Sequence, residues 1–192
     1  IVEIIGPESA DLLAGRIYFH DADDQEMLTE VGTLKDGHPV RLNRRAVESD
    51  RLVLIGTASY HYHAGFGGGR KSLVPGIADR ETIAHTHSRS LDPDSDRMDP
   101  DVDIGKLDGN PVANLIMEAA LLHPPSITVN TVLDPDGRLV GVFSGDMDLA
   151  HRQACALVEK TCRANIDELA DFVIASAEGA PNWIQSHKAL YN

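Results

Sequence analysis

The sequence has few cysteines and few basic residues, and it has no long apolar run. Its 192 residues include two cysteines, too few for the disulfide framework of a small secreted protein. With 17 Lys and Arg against 30 Asp and Glu, the formal net charge is −13, so the basic surface that nucleic acid requires is missing. No apolar stretch approaches the roughly 20 residues that span a bilayer. We therefore expect a cytoplasmic protein without nucleic-acid or membrane partners.

The two cysteines, Cys155 and Cys162, lie seven residues apart in a segment of helical periodicity. This spacing separates them by about 10 Å along a helix axis, which is farther than a disulfide can bridge. We predict two free thiols that act as core or partly exposed side chains.

Apolar segments rich in Val, Ile and Leu alternate with segments of helical periodicity. This pattern predicts an α/β fold with a mixed or parallel sheet flanked by helices. The chain opens in an apolar run without an initiator Met, which suggests a strand taken from a larger protein. The strand candidates are residues 1–5, 16–20, 40–43, 51–57, 126–133, 138–143 and 171–177.

Several helix ends and turns are marked by specific residues. Asn110 followed by Pro111 is typical of a helix start, with Asn as the cap. An amphipathic pattern over residues 147–164 predicts another helix, capped by Asp146 or Asp148. Hairpin turns are predicted where Asp precedes Gly, at Asp134-Pro-Asp-Gly137 and at Asp36-Gly37.

Residues 92–109 form an acidic stretch in which Asp alternates with other residues. Counted from Asp92, a calcium-binding loop requires Gly at the sixth position and Glu at the twelfth. Arg97 and Asp103 stand there instead. The stretch therefore favours a solvated loop, such as a lid or a domain junction, over a metal site.

The segment from His61 to Gly76 holds the residues best suited to chemistry. His61 and His63 alternate, so on an extended chain their rings would face one side, about 7 Å apart. Glycines at positions 65 and 67–69 let the backbone approach a ligand closely. These features predict a binding turn directly after a strand.

Basic residues follow the glycines, and a second histidine pair follows those. Arg70-Lys71-Ser72 could hold an anion such as a phosphate. The segment is not a Walker A loop, because Arg70 stands where that motif requires Gly, and its glycine spacing differs from a dinucleotide fingerprint. A helix starting near Asp79 would carry His85 and His87.

Taken alone, these residues leave the ligand open. A single His near a strand end is usually a satisfied polar residue, and a Gly cluster is usually a turn. Two His-x-His pairs would suit zinc, copper or nickel, and spacing does not name the metal. A phosphate-bearing ligand is equally compatible with the glycines.

The run from His61 to Gly76, continued by Arg80-Glu81-Thr82-Ile83 and His87, resembles the signature of the nickel-dependent lactate racemase family. The specific marks are a His ten residues before Lys71, the sequence Gly-Gly-Arg-Lys-Ser, a Pro-Gly pair and a His sixteen residues after Lys71. The likeness extends along nearly the whole chain.

The resemblance implies an enzyme that inverts C2 of a small 2-hydroxyacid. Such enzymes use a nicotinate-derived mononucleotide, made by maturation enzymes, whose two sulfur donors and one carbon donor hold nickel as a pincer. A base deprotonates the hydroxyl while the cofactor accepts hydride, and redelivery to the other face gives the opposite enantiomer. By resemblance, Lys71 would tether the cofactor through a thioamide, His87 would bind nickel, and His61 would be one of two acid/base histidines. Gly68, Gly69, Arg70 and Ser72 would lie beside the nucleotide.

Near the C-terminus, Gln185 and Lys188 match family positions that hold the substrate. They lie three residues apart, hence on one face of a helix. The approach to them, from Gly179, looks shorter than in the family and lacks its Asp after the Pro. A second catalytic His and a substrate-binding Arg of the family would lie upstream of Ile1, so the chain alone would lack half of a two-base site and should be inactive.

We expect two domains with a cleft between them. Residues 1–90 would complete the cofactor-binding N-terminal domain, and residues 91–192 would form a linker and the start of the second domain. One alternative is a non-catalytic relative that binds a phosphorylated small molecule. Another is a zinc hydrolase using both histidine pairs, with His63 or His85 as a direct ligand. If the protein is not a zinc hydrolase, we expect His63 and His85 to be buried packing residues or to donate hydrogen bonds to residues that bind the metal or cofactor.

Overall fold

The computed structural model describes residues 2–95, 97–168 and 170–174. Over these residues the helices are α1 (Val2–Ile5), α2 (Pro7–Leu12), α3 (Arg44–Val47), α4 (Arg80–Ser88), α5 (Pro111–Leu121) and α6 (Met147–Cys162). The strands are β1 (Leu28–Thr33), β2 (Pro39–Asn43), β3 (Val53–Ala58), β4 (Tyr60–His61), β5 (Gly65–Phe66), β6 (Ile127–Leu133) and β7 (Leu139–Gly145). Short 3₁₀ turns cover Gln25–Met27 and Gly69–Ser72.

The central sheet has the strand order β3-β6-β7. β3 and β6 are parallel, with Leu54 opposite Thr128, and β7 is antiparallel to β6. The predicted α/β class with a mixed sheet is therefore confirmed. The connection from β3 to β6 passes through the glycine segment, α4 and α5, as parallel pairing requires a long crossover. α6 packs on one face of this sheet, while Ile55 is 72% exposed and Val142 is 55% exposed on the other.

Both predicted hairpin turns are confirmed. β1 and β2 form an antiparallel pair joined by a turn that includes Asp36 and Gly37. β6 and β7 are joined through residues 134–137, where Asp134 Oδ1 accepts hydrogen bonds from the N–H groups of Asp136 and Arg138. An Asp side chain that bonds the backbone two residues on is the usual reason for its place in such turns.

The predicted helix starts are also confirmed. Asn110 caps α5 by accepting from the Ala113 N–H at 3.0 Å, with Pro111 at the first position. Asp146, not Asp148, caps α6, because its side chain accepts from the N–H groups of Asp148 and Leu149. The capped ends satisfy donors that would otherwise lack partners.

Three strand expectations fail within the described residues. The segment expected as a strand at 1–5 is helical from Val2 to Ile5; β-branched residues favour strands only where a neighbouring strand supplies the ladder. Residues 16–20 have no regular structure, and the described part of 171–177 is not in a strand. Conversely, β1 was missed because Glu30 and Gly32 interrupt its apolar pattern.

The buried apolar side chains form two clusters. One includes Val40, Leu42, Leu73 and Ile116, each fully buried, and lies under β1, β2 and α5. The other joins Phe66 and Val132 to the inner face of α6, where Cys155 is buried. Cys155 and Cys162 are both free thiols, as predicted.

In the part of the chain that the structure describes, every helix is too short or too polar to cross a membrane. The proposed division near residue 90 stays a prediction, as does the cleft between domains. β3 and β6, which lie on either side of that residue, share one sheet.

Candidate active site

The first site histidine, His61, ends a two-residue strand. β4 pairs with β5, placing His61 opposite Gly65. The His61 Nδ1 accepts hydrogen bonds from the backbone N–H groups of His63 at 3.1 Å and Ala64 at 3.2 Å. Because Nδ1 acts as an acceptor, a neutral His61 carries its hydrogen on Nε2. The chain turns after His61 instead of staying extended, so the expected strand alternation does not place His63.

Three histidines and Lys71 nevertheless lie together. The ring centroids of His61 and His63 are 6.3 Å apart, and those of His63 and His87 are also 6.3 Å apart. Burial lowers the pKa of His63, and the nearby His87 and Lys71 lower it further. Lys71 is therefore close enough to both rings for its charge to favour their neutral forms.

His87 is oriented for coordination by a hydrogen bond within α4. Its Nδ1 lies 2.8 Å from the Ile83 carbonyl oxygen, so Nδ1 carries the hydrogen and Nε2 keeps a lone pair. Burial lowers the pKa of His87, outweighing that hydrogen bond, and Lys71 adds to the effect. A neutral imidazole fixed by a carbonyl through its other nitrogen is the usual form of a histidine that binds a metal.

The glycine turn before Lys71 lies directly on β3. Gly68 has φ of 75° and Gly69 has φ of 53°, a region that favours glycine. A Cβ on Gly68 would lie 3.0 Å from the Thr57 carbonyl oxygen, and one on Gly56 would lie 2.9 Å from Ser72 Oγ. Side chains at these positions would push the turn off the strand.

Two buried residues that hold this turn were not identified from the sequence. Asn130, on β6, accepts from the Gly69 N–H at 2.7 Å. His151, on α6, lies with Nε2 2.7 Å from the Gly67 carbonyl oxygen and Nδ1 3.1 Å from Arg70 Nη1. The sequence carries the signal only weakly, as polar residues at inward-facing positions of an apolar strand and an amphipathic helix.

Arg70, expected beside a nucleotide, is 2% exposed and directs its guanidinium to His151. Burial lowers its pKa. Its neighbours Lys71 and Ser72 are only partly buried. The turn therefore buries the Arg70 side chain and leaves Lys71 partly exposed.

The second histidine pair is split across α4. His85 lies on a different face from His87, with Nε2 2.8 Å from Asp36 Oδ2. Its ring stacks on His38 with centroids 4.0 Å apart. Within the described residues, no group of three or more His, Cys, Asp or Glu side chains is arranged to hold a metal. His61, His63, His85 and His87 are therefore not brought together as one four-histidine site.

Gln185 and Lys188 lie outside the described residues. Their expected role in holding substrate stays a prediction.

The fold and site define an α/β protein with a lysine on a glycine turn beside partly buried histidines. Residues 3–99 match the family model of the lactate racemase N-terminal domain. The chain belongs to this family.

Two curated relatives are similar over most of the chain, and each is called lactate racemase. The protein from Thermoanaerobacterium thermosaccharolyticum is 34% identical over 174 residues, covering 89% of this chain and 39% of the relative. The protein from Lactiplantibacillus plantarum is 32% identical over 159 residues, covering 82% and 36%. The chain thus spans less than two fifths of the length of either relative.

Two solved structures share the fold of this chain. The lactate racemase apoprotein from Thermoanaerobacterium thermosaccharolyticum aligns with a TM-score of 0.67 and 33% identity, covering 74% of this chain and 33% of that one. A Thermotoga maritima protein aligns with a TM-score of 0.58 and 23% identity, covering 74% of this chain and 39% of that one; this second likeness concerns the fold alone.

Proposed function

We propose that the chain is part of an enzyme that inverts C2 of a small 2-hydroxyacid through a nickel pincer nucleotide tethered to Lys71. The observation that carries the proposal is the grouping of Lys71 with His87, whose Nδ1 bonds the Ile83 carbonyl oxygen at 2.8 Å and whose Nε2 keeps its lone pair. Membership of the lactate racemase family supports it.

The residues present fit such a cofactor. Lys71 would form the thioamide, and the His87 Nε2 would coordinate nickel. Gly68 and Gly69 would lie beside the nucleotide with Ser72; the space that their side chains would occupy is taken up by Thr57 and by the His151 ring. Because the guanidinium of Arg70 is buried against His151, Arg70 would contribute through the backbone of the turn. When bound, the nickel nucleotide supplies an acceptor for the hydride of C2.

His61 would handle the proton of the substrate hydroxyl. As the base for that proton, the neutral ring must hold its hydrogen on Nδ1 and its lone pair on Nε2, so catalysis would require Nδ1 to release the two backbone N–H groups from which it accepts here. Nε2 would then accept the hydroxyl proton to form the imidazolium and return it when hydride is redelivered, while a second histidine serves the opposite face. By family resemblance, Gln185 and Lys188 would hold the substrate, and maturation enzymes would load the cofactor.

The zinc hydrolase alternative is disfavoured by the arrangement of the histidines. His85 is paired with Asp36 instead of joining the other histidines, and within the described residues no three His, Cys, Asp or Glu side chains are arranged to hold a metal. A protein that only binds a phosphorylated ligand could use Lys71 for the phosphate, but it would have no need of a neutral His87 whose Nε2 keeps its lone pair beside that lysine.

Racemisation by the full-length protein, matured in a host with the maturation enzymes, tests the proposal. Lactate of one configuration, carrying deuterium at C2, is the probe. Hydride transfer keeps deuterium in the product of opposite configuration, whereas removal as a proton exchanges it with water. Lys71→Arg keeps the charge but forms no thioamide, so at least a 1000-fold loss of rate is expected (about 4 kcal/mol).

Lys35→Arg is the matched control, because the Lys35 side chain is 90% exposed, and it should retain the wild-type rate. If Lys71→Arg racemised lactate as fast as Lys35→Arg, the tethering role would be wrong. Complete loss of deuterium in the product would contradict the hydride mechanism.

A further inference from the structure

The His151 ring on α6 contacts the turn that carries Lys71. His151 is fully buried, and both of its ring nitrogens are engaged. Nε2–H donates to the Gly67 carbonyl oxygen at 2.7 Å, and Nδ1 accepts from Arg70 Nη1 at 3.1 Å. This pattern is consistent with one tautomer of the neutral ring. Burial lowers the pKa of His151 to about 4, which keeps that neutral form at physiological pH.

The same turn is held by Asn130 and by close packing. Asn130 is fully buried, and its Oδ1 accepts from the Gly69 N–H at 2.7 Å. A Cβ on Gly69 would lie 2.6 Å from the His151 ring, so the backbone and the ring are already in contact. Three of the four residues that precede Lys71, namely Gly67, Gly69 and Arg70, are thus held by hydrogen bonds to His151 or Asn130.

We propose that His151 and Asn130 are positioning residues that hold the backbone of residues 67–72 and thereby direct Lys71 toward His63 and His87. The role given to Lys71 rests on the proposed function. Neither residue needs to touch substrate, because each acts through the turn. Both lie outside residues 3–99, which match the family model, so the tethering turn depends on β6 and α6 for its support.

Two substitutions at His151 separate positioning from general stability. His151→Phe keeps a ring of similar size but removes both hydrogen bonds. His151→Gln keeps one donor and one acceptor, as the neutral histidine has. Val158→Ala is the control, since Val158 is buried on the same helix within the second core cluster and its truncation loosens α6 without touching the turn.

Amide hydrogen exchange of the full-length protein without cofactor gives the first readout. In His151→Phe, peptides covering residues 67–72 should exchange about tenfold faster, while peptides covering β1 and β2 stay at the wild-type rate. His151→Gln should recover most of the protection. Equal acceleration in both regions, as expected for a globally loosened protein, or no acceleration in the turn, would overturn the proposal. So would exchange in His151→Gln as fast as in His151→Phe.

The fraction of Lys71 that carries cofactor after maturation gives the second readout, measured by peptide mass spectrometry. His151→Phe should lower this fraction severalfold, and His151→Gln should restore it; loading of His151→Phe equal to the wild type would overturn the link to Lys71. If wild-type Lys71 carried no modification, the proposed function would fail, and the exchange measurement would still decide whether His151 holds the turn.

Discussion

At the residue scale, His61 and His87 are distinguished by what their Nδ1 atoms contact. The Nδ1 of His61 accepts from backbone N–H groups, whereas the Nδ1 of His87 donates to a backbone carbonyl. His61 therefore presents a hydrogen on Nε2, and His87 presents a lone pair. The backbone contacts thus give the two neutral rings opposite hydrogen-bonding capacities at Nε2.

Gly69→Ala tests the contact between the turn and α6. Alanine at a φ of 53° costs about 1 kcal/mol or more, and overpacking against the His151 ring adds about 1–3 kcal/mol. Gly137→Ala is the control, because Gly137 also has a positive φ of 79° and a Cβ there meets nothing within 4 Å. Denaturant unfolding should show a larger loss of unfolding free energy for Gly69→Ala than for Gly137→Ala. Equal losses would mean that the contact between Gly69 and the His151 ring adds nothing to the cost.

At the element scale, α4 is clamped by the β1–β2 hairpin. Asp36 in the hairpin turn lies 2.8 Å from His85 Nε2 and 2.6 Å from Arg89 Nη2, both on or next to α4. This clamp fixes the face of the helix opposite His87. A surface hairpin thereby helps to orient the proposed nickel ligand.

The clamp predicts an acid-dependent loss of stability. Burial would raise the pKa of Asp36, but hydrogen bonds from Arg89 and His85 outweigh it and lower the pKa from 3.8 to about 2. A lowered pKa in the folded state means that the carboxylate stabilises the fold above about pH 4, and that this contribution disappears as the pH falls through 2.

The unfolding free energy of Asp36→Asn at pH 7 should therefore be about 1 kcal/mol lower than that of the wild type, allowing for solvent screening. Between pH 4 and 2 its unfolding free energy should change less with pH than that of the wild type. Asp50→Asn, at an exposed position, is the control. Unfolding free energies measured across this pH range check the prediction, and a curve for Asp36→Asn parallel to the wild type would refute the clamp.

The start of α5 is also tied to the site. Asn110 caps the helix through Oδ1, and its Nδ2 donates to the carbonyl oxygens of His63 at 2.9 Å and Lys106 at 3.1 Å. Asn110→Ala removes all three bonds and should cost about 2 kcal/mol or more. Asn110→Asp keeps the cap but not the donors, so it separates the two roles. If both variants unfolded like the wild type, the cap would contribute nothing to stability.

The sequence predicted the elements whose ends are set locally. Asn110, Asp146 and the two Asp-Gly turns act through hydrogen bonds to the next few residues, so their effect is visible in sequence. β1 was missed because its pairing with β2 overrides an irregular apolar pattern. Asn130 and His151 were missed because their partners lie 61 and 84 residues away. No local pattern reports a contact that only the folded sheet and α6 bring about.

At the scale of the whole molecule, the site draws on both halves of the chain. Lys71 and the histidines lie within the segment that matches the lactate racemase N-terminal domain. The residues that hold the lysine turn come from β6 and α6, beyond that segment. The parallel pairing of β3 with β6 joins the two parts, so the candidate site is a property of the assembled sheet.

Peptide mass spectrometry of the full-length protein, purified from its native host and analysed in parallel for nickel and zinc, tests the central claim most directly. We predict a mass increment on the peptide containing Lys71, together with stoichiometric nickel. An unmodified Lys71 in natively matured protein, with zinc in place of nickel, would contradict the account.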